Sequence, residues 1–79
     1  MDRRGYSHRI VRANQEADPS SIGVRLGRLC IYEEIPASDV AKYFNVSRMT
    51  IYNWFSGASK PQKRLIADIQ RIIEKLSNA

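Results

Sequence analysis

The stretch VSRMTIYNWFSG, Val46 to Gly57, combines two kinds of side chain at helical spacing. Ile51, Trp54 and Phe55 fall at i, i+3 and i+4, which places them on one face of a helix. Arg48, Met49, Tyr52, Asn53 and Ser56 are left to point outward. These side chains can hydrogen-bond or make apolar contact, unlike an ordinary solvated coat of Lys and Glu. A helix of about ten residues is roughly 15 Å long, and the major groove of B-DNA, about 12 Å wide, admits one such helix. Its first turn directs free N–H groups forward, where phosphate oxygens suit them. The plainer reading of Trp54 is a core residue, and that is the one expected here. Tyr52 has two readings, packing against the fold or reaching a ligand.

The charge pattern agrees with an anionic partner. Net charge is +5 and the pI is near 9.8, which favours nucleic acid, an acidic protein or anionic lipid. Between Asp39 and Asp68 there is no acidic residue, while Lys42, Arg48, Lys60, Lys63 and Arg64 all fall inside that interval. The flanking segments are mixed in sign, so the positive field is expected to centre on the middle of the chain.

The elements that must hold this segment can be read on either side of it. With 79 residues the chain makes one small domain, burying only about 60% of its unfolded surface. That leaves little room for a deep substrate cavity. Residues 1–18 show no sustained apolar period and carry Arg3, Arg4, Arg9 and Arg12. They read as a flexible basic arm, with at most one turn near Ile10 and Val11, either frayed or reaching along DNA. The domain proper is expected over 19–79. DPSS marks a helix start, with Asp18 or Ser20 as cap. Ile22, Leu26, Leu29 and Cys30 follow at helical spacing up to Pro36. Gly23 and Gly27, four apart, either admit another backbone closely or weaken the first turn. A second helix runs from about Ala37 to Phe44, and Asn45 suits a tight turn. Ser47 caps a third helix ending at Gly57. A fourth, from Pro61 to about Ser77, carries the stripe Leu65, Ile66, Ile69, Ile72, Ile73 and Leu76. The expected fold is therefore all-α, a small bundle of four helices, five at most.

Residues 37–57, ASDVAKYFNVSRMTIYNWFSG, resemble the helix-turn-helix of the lambda-repressor and Cro (XRE-type) family. The match lies in Ala41, the small residue where the two helices touch; Val46 after the turn; Ile51, the β-branched core residue; and Trp54 three further on. GASKP resembles the family's loop along the phosphate backbone. The resemblance covers about residues 20 to 65. Three features depart from the family: Asn45 stands where glycine is usual, Ala37 stands where a phosphate-touching glutamine is common, and one long last helix replaces the final two.

The resemblance implies double-stranded DNA as partner and gives each residue a role. Base reading falls on Arg48, Met49 and Asn53: arginine pairs with guanine O6 and N7, asparagine with adenine N6 and N7, and methionine packs on a thymine methyl. Phosphate contact falls on Ser47, Tyr52, Lys60 and Lys63, with Arg3 and Arg4 as a candidate DNA arm. The plainer readings are a solvated charge for Arg48, Lys60 and Lys63, partial burial for Met49, and packing against the fold for Tyr52. The wide stripe on the last helix either packs internally or pairs with a second copy. The second option gives a homodimer on a palindromic operator. The implied function is a transcriptional regulator, a Cro-like phage-type repressor. The alternatives are an adaptor recruiting a larger phage or replication enzyme to DNA, and a protein-interaction module.

Other classes find little support. One cysteine, Cys30, and one histidine, His8, make neither an internal disulfide nor a zinc site. Cys30, in an apolar stretch, reads as a buried small hydrophobe. There is no glycine-rich phosphate loop or catalytic cluster, so no enzyme, metal, cofactor or small-molecule ligand is expected. No apolar run approaches the about 18 residues of a membrane span. With no disulfide framework or signal peptide, the expected location is the cytoplasm.

Overall fold

The computed structural model describes residues 6–78. Among them are five helices and no strand: α1 (His8–Glu16), α2 (Ile22–Tyr32), α3 (Ala37–Phe44), α4 (Arg48–Ser56) and α5 (Lys63–Ser77). The all-α expectation holds, and the fifth helix stands at the front of the chain. The region read as a basic arm over residues 1–18 is, from Tyr6 onward, part of the packed domain. Arg3 and Arg4 lie outside the described residues.

Three anchors explain why residues 6–17 pack instead of trailing. The Tyr6 ring is 1% exposed, lies 5.9 Å from the Phe55 ring, and its hydroxyl donates to the Ile35 carbonyl at 2.7 Å. Asn14 is buried, and its amide donates to the carbonyls of Val24 (3.1 Å) and Phe55 (2.7 Å). Arg28 of α2 donates to the carbonyl oxygens of Asn14, Gln15 and Ala17, satisfying the open end of α1. Ser7 caps the other end, accepting from the Ile10 N–H.

Helix α2 is the hub, packing on α1, α4 and α5. Its two inner glycines make this possible. A Cβ at Gly27 would lie 2.6 Å from Phe55 Cγ and 2.7 Å from Asn14 Nδ2, and one at Gly23 would lie 2.9 Å from the Trp54 carbonyl oxygen. Of the two readings of this pair, close approach is the correct one. Ser21 precedes α2 without a side-chain cap; Asp18 instead accepts from the Ser20 N–H and hydroxyl in the preceding turn. Those hydrogen bonds hold the Asp18 carboxyl below its ordinary value.

Both α2 and α3 end in a Schellman pair of hydrogen bonds. Ile35 N–H reaches Cys30 O and Glu34 N–H reaches Ile31 O; Val46 N–H reaches Ala41 O and Asn45 N–H reaches Lys42 O. The residue at the bend is left-handed in each, Glu34 at φ 58° and Asn45 at φ 58°. Asparagine tolerates that conformation, so Asn45 serves where glycine is more usual. Helix α5 starts at Lys63, after Gln62, and the expected opener Pro61 is buried just before it. On α5, Leu65, Ile69 and Ile73 are buried; Ile66, Ile72 and Leu76 remain half-buried. None of these helices is long and apolar enough to cross a membrane.

Candidate nucleic-acid interface

The α3–α4 corner is built as the sequence pattern requires. Ala41, Phe44, Ile51, Trp54 and Phe55 are buried together, with the Phe44 and Trp54 rings edge to face at 5.7 Å. Trp54 is thus core, 3% exposed. Ser47 caps α4 by accepting from the Thr50 N–H at 3.1 Å, and its Oγ also lies 3.0 Å from Thr50 Oγ1. Gly57, at φ 82°, closes the helix.

The outward side of α4 is divided between an open part and a flanked part. Arg48 is exposed and Met49 is 66% exposed. Among the described residues no carboxylate pairs with Arg48. Tyr52 and Asn53 are half-buried. The cause is α1, which runs alongside α4 in the same direction: Ser7 and Arg9 lie toward Met49 and Tyr52, and Asn14 and Ala17 toward Phe55 and Gly57. A shallow groove between the two helices is lined by Ser7, Arg9 and Ile10 on one wall and by Met49, Tyr52 and Asn53 on the other. Tyr52 also packs against the core.

The structure therefore brings Ser47, Arg48, Met49, Tyr52 and Asn53 onto one helix and its cap. Lys60 lies in the following loop and Lys63 at the first position of α5, both exposed. No ion pair is formed by Lys60 or Lys63 among the described residues. Ser47 accepts the cap hydrogen bond through its oxygen, and its O–H remains a donor that either Thr50 Oγ1 or a phosphate oxygen can take. Sequence reasoning placed Arg9 on a loose arm. Its position beside Met49 and Asn53 could have been found only by recognising Tyr6 and Asn14 as anchors.

No group of three or more His, Cys, Asp or Glu residues among the described residues is placed to hold a metal ion. Burial pushes the Cys30 thiol up to about 12, which suits the inert packing role expected of it. Comparison with protein-family models, with curated proteins and with solved structures finds no match for the chain.

Proposed function

We propose that this chain is a sequence-specific double-stranded DNA-binding regulator of transcription, a small repressor in format, that inserts α4 into the major groove. One observation carries the reading: on a helix whose back is locked by Ile51, Trp54 and Phe55, Arg48 and Met49 stand exposed beside a partly accessible Asn53. A nine-residue helix is about 14 Å long by its rise, commensurate with a groove about 12 Å wide. The acid-free interval from Val40 to Ala67 surrounds it with positive charge. Arg48, Met49 and Asn53 read base edges, and Lys60 and Lys63 neutralise phosphates. No catalytic role is assigned to the protein.

A homodimer on a palindromic site fits the remaining surface. The domain measures 33 × 27 × 23 Å, and half-sites one helical turn apart are separated by about 34 Å, so two copies fit side by side. Ile72 and Leu76 line an apolar groove with Val40 and Tyr43, and Tyr43 is 63% exposed. Asp39 borders this groove and Arg71, Glu74 and Lys75 lie beside it, a mix of signs that lets the patch pair with its own copy. That same groove also suits the second reading, an adaptor that carries a larger enzyme to DNA.

Selection of bound duplexes from a random pool tests the proposal, followed by sedimentation with the selected duplex. A symmetric consensus bound by two copies is expected. Salt-insensitive binding, or no enrichment, would refute it; tight binding of one copy would refute the dimer and favour the adaptor.

A further inference from the structure

Helix α1 changes what can happen at the DNA surface. Packed helices lie about 8–10 Å apart, axis to axis, and each is about 10–12 Å across with its side chains. Two parallel helices therefore cannot share a groove about 12 Å wide. If α4 occupies the groove, its neighbour α1 must ride on the lip, where the phosphates are. The α1 residue on the side toward the open part of α4 is Arg9, which is exposed and shares the groove wall with Ser7 and Ile10. Among the described residues no carboxylate pairs with it. By contrast, Arg12 is tied to Glu16 at 3.2 Å.

We infer that α1 is a second DNA-contacting element, a rail on the phosphate strand flanking α4, with Arg9 as its phosphate ligand. This rests on the reading of α4 as a major-groove helix. The rail is rigid: Tyr6, Asn14 and Arg28 fix α1 to the core, so Arg9 reaches the strand without ordering a loose arm first. It also sets the depth and tilt of α4. Base contact is concentrated on Arg48, Met49 and Asn53, and Tyr52 is held off the bases by its packing against the core.

The test compares Arg9→Ala with Arg25→Ala in the full chain. Both substitutions remove one exposed positive charge, but Arg25 lies on α2 beside Glu74 and Ser77 of α5, away from α4. Dissociation constants for the selected duplex and an unrelated duplex are measured from 50 to 200 mM salt. Each phosphate contact contributes about 0.9 to the slope of log affinity against log salt. Arg9→Ala is expected to lower that slope by about one on both duplexes, so its deficit relative to the wild type shrinks roughly threefold across the range. Arg25→Ala is expected to leave the slope near the wild-type value. An unchanged slope for Arg9→Ala in a protein that still binds with strong salt dependence overturns the rail and leaves the α4 reading standing. Equal effects of the two variants overturn it as well, since they would reflect net charge alone. Loss of preference at one base position would make Arg9 a base reader and overturn its phosphate role. Absence of salt-dependent binding by the wild type overturns both readings.

Discussion

The side-chain amide of Asn14 donates to the backbone carbonyl of Phe55 at 2.7 Å, forty-one residues away, and its second hydrogen goes to Val24. One buried polar side chain thus ties α1, α2 and α4 together. Asn14→Ala removes both bonds and leaves the Phe55 carbonyl, in the last turn of α4, without this donor in a packed interior, while the Val24 carbonyl keeps its place in the α2 ladder. The expected loss is about 1–3 kcal/mol, which for a domain of this size lowers Tm by at least about 4 °C. Amides of α1 should exchange with solvent fastest. An unshifted melting curve would mean that α1 is held by its apolar contacts alone.

Gly27 sets the distance at which those helices meet. Alanine is favoured over glycine in a helix by about 1 kcal/mol, so Gly27→Ala would stabilise an isolated α2. In the fold, the added methyl meets Phe55 Cγ at 2.6 Å, Asn14 Nδ2 at 2.7 Å and Phe55 Cβ at 2.8 Å. The two Phe55 atoms sit near that residue's backbone, and the Asn14 amide, though a side-chain end, is held by two hydrogen bonds, so overpacking of this kind costs about 1–3 kcal/mol. The substitution should therefore destabilise in urea unfolding, and Gly23→Ala should do the same against the Trp54 backbone. A gain in stability at either site would contradict the close approach.

The contrast between α1 and α4 shows what a sequence makes legible. Helix α4 was readable because Ile51, Trp54 and Phe55 keep strict spacing between Ser47 and Gly57, so local pattern and tertiary packing coincide. Helix α1 has little apolar pattern: its inward residues are Ile10, Val11 and a polar Asn14, and arginines crowd its start. What fixes it is non-local, a hydrogen bond to Phe55 and another from Tyr6 to Ile35. No periodicity announces such partners. The candidate site was legible to the same degree: its exposed tip at Arg48 and Met49 follows from helical spacing, while the half-burial of Tyr52 and Asn53 follows from α1.

Alkaline pH should unfold this domain through two buried acids. Desolvation raises Cys30 from its ordinary 9.0 to about 12, and burial pushes the Tyr6 phenol still further above its ordinary 10.0. In both, the folded state holds the proton more tightly than the unfolded chain. Their contribution is therefore complete below about pH 9 and is lost as pH rises, at up to about 1.4 kcal/mol per pH unit for each group. Deprotonation of Tyr6 also removes the donor to Ile35. Urea midpoints should be flat from neutral pH to about 8 and fall beyond 9. Cys30→Ala should remove the earlier part of that fall, and a midpoint independent of pH up to 11 would contradict the burial of both groups.

Arg48 and Lys60 should separate sequence reading from charge neutralisation. Arg48 stands at the first position of α4, exposed and unpaired among the described residues, where a guanidinium can meet a guanine edge in the groove. Arg48→Ala should cost about 1–3 kcal/mol on the selected duplex and relax preference at one position. Its effect on unrelated DNA should be smaller. Lys60 sits exposed on the loop beyond α4. Lys60→Ala should weaken all duplexes alike and reduce the salt slope by about one. Competition titrations against selected and scrambled duplexes measure both, and a sequence-independent loss for Arg48→Ala would move that residue from the bases to the backbone.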